Sequence, residues 1–224
     1  MLNQVLLLTL FVSLLATLAR PLDAKEKPVV LKAGDKAPAF AGVTDEKKPW
    51  DSKKHAGEKI FVVYFYPADM TPGCTKQACS YRDALVDLKR DDVAVIGVSG
   101  DSVENHQHFK REYKLNFTLL ADPDGKIAEA FGVKTGAGGE VPLKIDGKAI
   151  TLVRGVTSAR WTFVIDREWR IAHVDRKVNA ARDSAKVLKV IEKLPLEKSA
   201  DRLQGADDAG QRAIEQPLGN QSVD

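Results

Sequence analysis

Cys74 and Cys79 are the only two cysteines in this 224-residue chain, and they lie five positions apart in the stretch TPGCTKQACSYRD. Two thiols this close can form a structural disulfide, contribute to a metal site, or act as a reactive nucleophile with a second thiol beside it. Each role requires a different local geometry. The residues around the pair therefore decide between them.

Cys74 is predicted to lie in the first turn of a helix. Apolar residues recur every three or four positions at 74, 78, 81, 85 and 88, which predicts an amphipathic helix over residues 72–89. Pro72 suits the first turn and Gly73 allows a small ligand to approach the backbone. Thr71 is a candidate N-cap, or its hydroxyl faces the sulfur or a bound substrate. Because a helix N-terminus favours an anion, Cys74 is expected to be a thiolate, the nucleophilic form.

The spacing of the two thiols argues against a structural disulfide. In an intact helix, residues five apart are separated by about 7.5 Å along the axis and rotated by about 140°. Disulfide-bonded residues usually have Cα atoms closer than about 7 Å with converging Cβ atoms. Cys74 and Cys79 are therefore not expected to bond until the start of the helix unwinds. This favours an attacking thiol and a resolving thiol.

A metal site has weaker support. Two thiolates would need two further ligands, and the four histidines show no zinc-finger spacing: His55, His106, His108 and His173. His106 and His108 are two apart on a predicted helix, so they diverge, and a solvated helix face is the expected location for both. The two thiols alone can reduce an oxidant without any cofactor.

That chemistry is peroxide reduction. A thiolate displaces one oxygen of an O–O bond and becomes a sulfenic acid, with which a second thiol condenses to a disulfide. The leaving oxygen develops negative charge, so hydrogen-bond donors must surround it. Two alternatives stay open: a disulfide oxidoreductase, which usually relies on a C-x-x-C motif absent here, and a redox sensor whose output is the helix-to-loop change.

The remaining core pattern predicts one α/β domain over residues 30–195, because strands and helices alternate along the chain. The predicted strands cover residues 59–66, 93–99, 117–121, 160–166 and 170–175. The predicted helices cover residues 72–89, 101–114, 126–131 and 181–193. The helix that begins at Asp101 carries Glu104 as a capping box. Between the predicted helix at 126–131 and the predicted strand at 160–166, residues 134–159 have hairpin character around Asp146-Gly147, with a flexible stretch at 136–139.

The two ends of the chain differ from this core. Residues 5–19 form an apolar run of signal-peptide length, so residues 1–24 are predicted to be an export signal or, since MLNQ lacks a basic residue, an uncleaved membrane anchor. Residues 196–224 are predicted to be a disordered tail. The net charge is only +3, without a basic block, which gives nucleic-acid binding little support. An exported, periplasmic or extracytoplasmic protein is expected.

The segment YFYPADMTPGCTKQACSYRD resembles the active-site segment of peroxiredoxins, specifically the PrxQ or bacterioferritin-comigratory-protein group. The peroxiredoxin pattern Pro-x₃-Thr-x₂-Cys is met by Pro67, Thr71 and Cys74, and a second cysteine five residues later is a feature of that group. The resemblance extends over about residues 32–193 through GDKAPAF, VIGVSGDSVENHQHF, LLADPDGKIAEAFGV and RWTFVIDREWRIAHV.

This resemblance implies a thioredoxin-like fold, in which a central mixed β-sheet is flanked by helices. It implies that Cys74 is the peroxidatic cysteine and Cys79 the resolving one. Pro67 would shield the thiolate, and Thr71 would hydrogen-bond it and the peroxide. The arginine of the family corresponds to Arg160, which leads into a TFVID-like strand, with Arg154 as a weaker competitor.

The resemblance also implies the partners. The substrates would be hydrogen peroxide and organic hydroperoxides, the reductant would be thioredoxin or another dithiol, and the protein would be a monomer. Two features depart from the family pattern: the apparent export signal and the longer connection at residues 134–159. Trp50, Trp161 and Trp169 are expected to pack or lie at the surface.

Overall fold

The computed structural model describes residues 29–88, 90–145 and 147–195, so the predicted signal or anchor and the predicted tail lie outside the described residues. The strands are β1 Ala41–Thr44, β2 Pro49–Asp51, β3 Ile60–Phe65, β4 Val93–Ser99, β5 Thr118–Ala121, β6 Thr135–Ile145, β7 Lys148–Ser158, β8 Trp161–Ile165 and β9 Ile171–Asp175. The helices are α1 Pro72–Leu88, α2 Val103–Tyr113, α3 Lys126–Ala130 and α4 Asp183–Ile191, with a short 3₁₀ turn at Ser52–Lys54.

Seven strands form one mixed sheet in the order β2-β1-β5-β4-β3-β8-β9. Strands β3, β4 and β5 run parallel, because α1 and α2 connect them as crossovers, whereas β8 pairs antiparallel with β3. Every residue of β3 is buried, as its run of β-branched and aromatic side chains predicts for a central strand. The prediction of a central mixed sheet flanked by helices is confirmed.

Alternate residues of β3 build two apolar clusters, one on each face of the sheet. On one face, Val62 and Tyr64 pack in the same cluster as residues from α1, α2 and α4: Ala78, Tyr81, Phe109, Val187 and Ile191. On the other face, Phe61 and Phe65 pack with Phe131 and Trp169. The helix that carries both cysteines is thus fixed to the sheet by its apolar stripe.

The start of α2 differs from the prediction. The helix does not begin at Asp101 with Glu104 as a capping box; its N-cap is Ser102, whose hydroxyl accepts a hydrogen bond from Asn105 N at 3.2 Å. Asp101 is buried instead, and its carboxylate accepts bonds from Ser99 Oγ and the Asn105 amide. A buried carboxylate with these donors has no need to cap the helix.

Residues 134–159 form one long hairpin, which confirms the predicted hairpin character and extends it over almost the whole segment. Strands β6 and β7 pair antiparallel from Thr135–Ser158 to Ile145–Lys148, so the predicted flexible stretch at 136–139 is a paired strand. Its glycines allow close approach: a Cβ atom on Gly138 would lie 2.0 Å from Arg154 O. The base of the hairpin is hydrogen-bonded to the main domain through Gly155 N and Gly100 O, at 2.9 Å.

The three tryptophans pack within the fold, as expected. Trp169 is buried in the core, and Trp50 stacks on the ring of His55. The Arg176 guanidinium carbon lies 4.8 Å from the centre of the Trp161 ring. Within the described residues, no helix has the length and apolar character needed to cross a bilayer.

Candidate active site

The loop between β3 and α1 positions the first thiol. It leaves the carboxyl end of β3, and the backbone turns at Met70, whose φ of 62° is uncommon for a residue other than glycine. Thr75 N donates to Thr71 O at 2.9 Å, which places Thr71 at the N-cap position of α1. The first turn of the helix, with its outward-pointing N–H groups, follows immediately and includes Cys74.

Cys74 is 1% exposed, and a guanidinium faces its sulfur. Arg160 Nη2 donates to Cys74 Sγ at 3.1 Å although 86 residues separate them in sequence. The sheet creates this proximity, because Phe65 at the end of β3 pairs with Trp161, the residue after Arg160. A Cβ atom on Gly73 would lie 3.5 Å from Arg160 Nη2, an ordinary van der Waals distance, so the guanidinium lies beside the first turn of α1. A cation next to this sulfur stabilises a thiolate and can also stabilise an oxygen that becomes negative.

Two further residues hold the guanidinium of Arg160 in place. Arg160 Nη1 donates to Gln77 Oε1, and Gln77 Nε2 donates to Asp183 Oδ2 at 2.6 Å. Sequence reasoning missed both residues. Gln77 carried a signal, because it lies three positions after Cys74 and therefore on the same helix face. Asp183 carried none, since it comes from α4, more than one hundred residues further along the chain.

Cys79 lies on the same helix and is half-buried. Both thiols are free, and α1 is continuous through them from Pro72–Leu88. The helical backbone therefore keeps the two residues about 7.5 Å apart along the helix axis. This agrees with the expectation that the pair is unbonded while the helix is intact.

The structure also places the other two predicted loop residues. Pro67 is half-buried and follows β3 by two positions. Thr71 is at the helix start, but its hydroxyl neither caps the helix nor donates to the sulfur: it donates to Ala68 O at 3.0 Å. That bond closes the loop that leads to Cys74.

The prediction of a solvated face for both histidines of α2 is wrong for His106. His106 is fully buried, and its Nδ1 atom lies 2.7 Å from Asp69 Oδ2. Tyr66 donates to the other oxygen of Asp69 at 2.8 Å, and Asp69 N donates to Asp101. The two histidines diverge as expected, since His108 faces solvent beside Arg111. The reason for the burial is that Asp69 in the active-site loop supplies a partner for His106.

Charges around the site shift several pKa values. Burial alone would lower the pKa of His106, but the negative charge of Asp69, the hydrogen bond to it and the charge of Asp101 outweigh burial, so the pKa is raised. Burial raises the pKa of Tyr64 well above its usual range, and Asp69, Cys74 and Asp183 raise it further. Tyr64 is therefore neutral beside the thiol.

The hairpin forms a wall near the active-site loop. A cavity of about 80 Å³ lies between Met70 and Thr71 on one side and four hairpin residues on the other: Val141, Leu143, Leu152 and Arg154. Arg154 therefore lines a neighbouring cavity, whereas Arg160 contacts the sulfur. Of the two candidate arginines, only Arg160 has a described hydrogen bond to Cys74.

Within the described residues, no cluster of three or more histidine, cysteine or carboxylate side chains could hold a metal ion. The arrangement consists of a buried sulfur, a guanidinium that donates to it, a helix N-terminus and a second thiol on the same helix. Such a site is suited to attack on a small electrophile with charge stabilisation at the leaving atom.

Comparison with known proteins assigns this geometry to one family. The model of the AhpC/TSA family matches residues 33–174. Peroxiredoxin Bcp of Bacillus subtilis is 36% identical over 163 residues, which cover 73% of this chain and 96% of that protein. The chloroplastic peroxiredoxin Q of Sedum lineare is 45% identical over 109 residues, covering 49% of this chain and 58% of that protein.

Solved structures agree. The structure of peroxidoxin BcpB from Mycobacterium tuberculosis matches with a TM-score of 0.61 and 27% identity, covering 75% of this chain and all of that one. A bacterioferritin comigratory protein of Xanthomonas campestris, described for its alkyl peroxide reduction activity, matches with a TM-score of 0.57 and 26% identity. That match covers 73% of this chain and 96% of the other.

Proposed function

Because this chain belongs to the AhpC/TSA family, in the group of peroxiredoxin Q and peroxiredoxin Bcp, we propose that its peroxidase reaction uses Cys74 as the attacking thiol and Cys79 as the resolving thiol. The protein is a thiol peroxidase with a thioredoxin-like fold. The observation that carries the residue assignment is the hydrogen bond from Arg160 to the buried sulfur of Cys74.

In the first step, the Cys74 thiolate attacks the terminal oxygen of the hydroperoxide. The S–O bond forms as the O–O bond breaks, and the leaving oxygen takes up a proton to become water or an alcohol. Arg160 can donate to the sulfur and to the oxygens, because a guanidinium carries five N–H donors in a fixed fork. The helix N-terminus adds positive potential at the same place.

In the second step, Cys79 attacks the sulfenic sulfur of Cys74. The S–S bond forms, the S–O bond breaks, and the oxygen leaves as water with the proton of the Cys79 thiol. The two residues cannot meet in an intact helix, so the first turns of α1 must unwind. Fast resolution protects the sulfenic acid from a second peroxide.

A dithiol such as thioredoxin then reduces the disulfide. Its two thiols supply the two electrons that peroxide removed, and they return Cys74 and Cys79 to the reduced state. The family of this chain supports a hydroperoxide substrate and a thioredoxin-type reductant. We propose further that the protein acts as a monomer.

We also propose export of the protein to an extracytoplasmic compartment. The apolar run at residues 5–19 supports this, because it has the length of a signal-peptide core. Mass spectrometry of the native N-terminus tests it. A new terminus after Ala19 or Ala24 supports cleavage, and an intact N-terminus in a membrane fraction supports the alternative of an anchor.

The decisive experiment for the function is coupled turnover of hydrogen peroxide with thioredoxin, thioredoxin reductase and NADPH. We expect steady turnover by the wild-type protein and none by the Cys74→Ser variant. Full turnover by Cys74→Ser would contradict the assignment of the attacking thiol. Reduction of insulin disulfides without any peroxide would instead favour a disulfide oxidoreductase, and thiols that oxidise readily without any donor turning them over would favour a sensor.

A further inference from the structure

Asp183, the first residue of α4, is a buried carboxylate that joins three elements. It is 2% exposed, and its Oδ2 atom accepts hydrogen bonds from Gln77 Nε2 at 2.6 Å, Tyr81 OH at 2.7 Å and Thr162 Oγ1 at 2.8 Å. Bonds from neutral donors to an ionised carboxylate are stronger than neutral pairs. Burial and the charge of Asp183 raise the pKa of Tyr81, so the phenol keeps its proton and donates.

Two of these donors come from the helix that carries both cysteines. Gln77 and Tyr81 lie four positions apart and therefore on one face of α1, and both are buried. In sequence, Gln77 lies between Cys74 and Cys79. Any rearrangement that brings the two sulfurs into bonding distance must therefore move Gln77 away from its place in the helix.

Gln77 also reaches the sulfur through the arginine. Its side-chain oxygen accepts from Arg160 Nη1, and Arg160 Nη2 donates to Cys74. The continuous path from Asp183 through Gln77 and Arg160 to the sulfur thus exists only while α1 is folded. The hydrogen bonds of Gln77 that orient Arg160 therefore also help to keep α1 folded.

We propose that Asp183 is a positioning residue: through Gln77 and Tyr81 it holds α1 folded while Cys74 reacts with peroxide, and the bond from Gln77 must break before Cys79 can resolve the sulfenic acid. We call the bonds from Gln77 and Tyr81 to Asp183 the Asp183 latch. The inference rests on the proposed function. Its consequence is that a change at Asp183, which does not contact the sulfur, should slow the reaction of Cys74 with peroxide and speed the formation of the disulfide with Cys79.

The variant Asp183→Asn tests the latch, because it removes the charge and retains the size of the side chain. One hydrogen bond to a charged group corresponds to roughly a tenfold change or more in an equilibrium constant. We therefore expect amide hydrogen exchange at residues 75–79 of the reduced full-length protein to rise about tenfold. We also expect conversion of sulfenic acid to disulfide, followed by rapid quench and mass spectrometry, to become several-fold faster.

The same variant is expected to react more slowly with peroxide, because Arg160 loses its support. The peroxide concentration that produces half over-oxidation of Cys74 to sulfinic acid should rise with the faster resolution. A residue that only stabilises the fold would not shift the two rates in opposite directions. Tyr81→Phe removes one latch bond without changing any charge, so it should speed resolution while leaving the peroxide step closer to wild type.

Ser184→Ala is the matched control. Ser184 follows Asp183 and contacts Ser80, so this variant also removes a bond between α1 and α4, but the bond has no link to Gln77 or Arg160. We expect wild-type rates for both steps.

Resolution in Asp183→Asn and Tyr81→Phe at or below the wild-type rate, with unchanged hydrogen exchange, would overturn the latch. Failure of the wild-type protein to consume peroxide would instead contradict the proposed function, and the exchange comparison would still decide whether Asp183 holds the helix.

Discussion

Arg160 Nη2 lies 3.1 Å from Cys74 Sγ, and this contact joins the residue before β8 to the first turn of α1, 86 residues earlier in the sequence. The pairing of β8 with β3 brings the arginine to the end of the sheet where α1 begins. The sulfur is buried against the apolar cluster of α1 and β3 on its other side. A buried sulfur with one cation aimed at it is the physical basis for its assignment as the nucleophile.

The first prediction concerns this arginine. Arg160→Met should lower the second-order rate constant for hydrogen peroxide by about 10²–10³, the cost of losing one donor aimed at developing negative charge. Competition kinetics with a reference peroxidase measure it. Arg154→Met is the control, because Arg154 lines the neighbouring hairpin cavity, and it should retain most of the wild-type rate. Equal losses in the two variants would contradict a specific role for Arg160.

The second prediction concerns the buried pair behind the active-site loop. His106→Asn should lower the free energy of unfolding by about 3–5 kcal/mol, because it leaves the buried charge of Asp69 without its partner. Urea unfolding measures the loss. The matched change His108→Asn, at a half-buried position of the same helix outside this pair, should cost no more than about 0.5 kcal/mol. Similar values for the two variants would show that the Asp69–His106 pair is not formed.

The third prediction is a pH dependence from the same histidine. The pKa of His106 is raised in the folded protein above its unfolded value of about 6.5, so the folded state binds the proton more tightly. The stabilisation is complete below about pH 6.5 and is lost as the pH rises through the folded pKa. The difference in unfolding free energy between wild type and His106→Asn should therefore shrink with rising pH. A free-energy difference between wild type and His106→Asn that grows above pH 7 would contradict a raised pKa of His106 in the folded protein.

The fourth prediction concerns the base of the hairpin. A Cβ atom on Gly155 would lie 2.2 Å from Pro123 O, whereas nothing lies within 4 Å of one on Gly139 in the paired strand. Gly155→Ala should therefore destabilise the protein by about 1–3 kcal/mol, because backbone must shift to remove the overlap. Gly139→Ala should be close to neutral. Thermal unfolding of the two variants compares them, and a neutral Gly155→Ala would mean that the hairpin does not dock at Pro123.

Much of the fold could be predicted because its central elements have strong local patterns. The predicted strand at 93–99 is confirmed at both ends, and the helix at 72–89 is confirmed through Leu88. Both are marked by continuous apolar or amphipathic periodicity. The hairpin was only partly predicted, because the three glycines and one alanine of residues 136–139 suggest local backbone freedom. Pairing of this stretch with β7 removes that freedom.

Some residues of the site could be predicted and others could not, because only some of them are marked by a local sequence pattern. Cys74 and Cys79 were predicted from local spacing, and Arg160 from the resemblance of the TFVID-like segment. Asp183 and the burial of His106 depend on tertiary contacts, which neither propensity nor periodicity encodes. In a sequence, a carboxylate at the start of a helix is usually interpreted as an exposed charge that stabilises the positive end of the helix dipole. Only the fold reveals that Asp183 faces inward and accepts bonds from α1.

The roles of the two cysteines are tested most directly by a single turnover with one equivalent of hydrogen peroxide, quenched rapidly and mapped by peptide mass spectrometry. In Cys79→Ser we expect one added oxygen on Cys74, trapped by a dione reagent, and no linked peptides. In the wild-type protein we expect a disulfide between Cys74 and Cys79 and no stable sulfenic acid. First oxidation at Cys79, or no dione adduct on Cys74 in the Cys79→Ser variant, would show that Cys74 is not the attacking thiol.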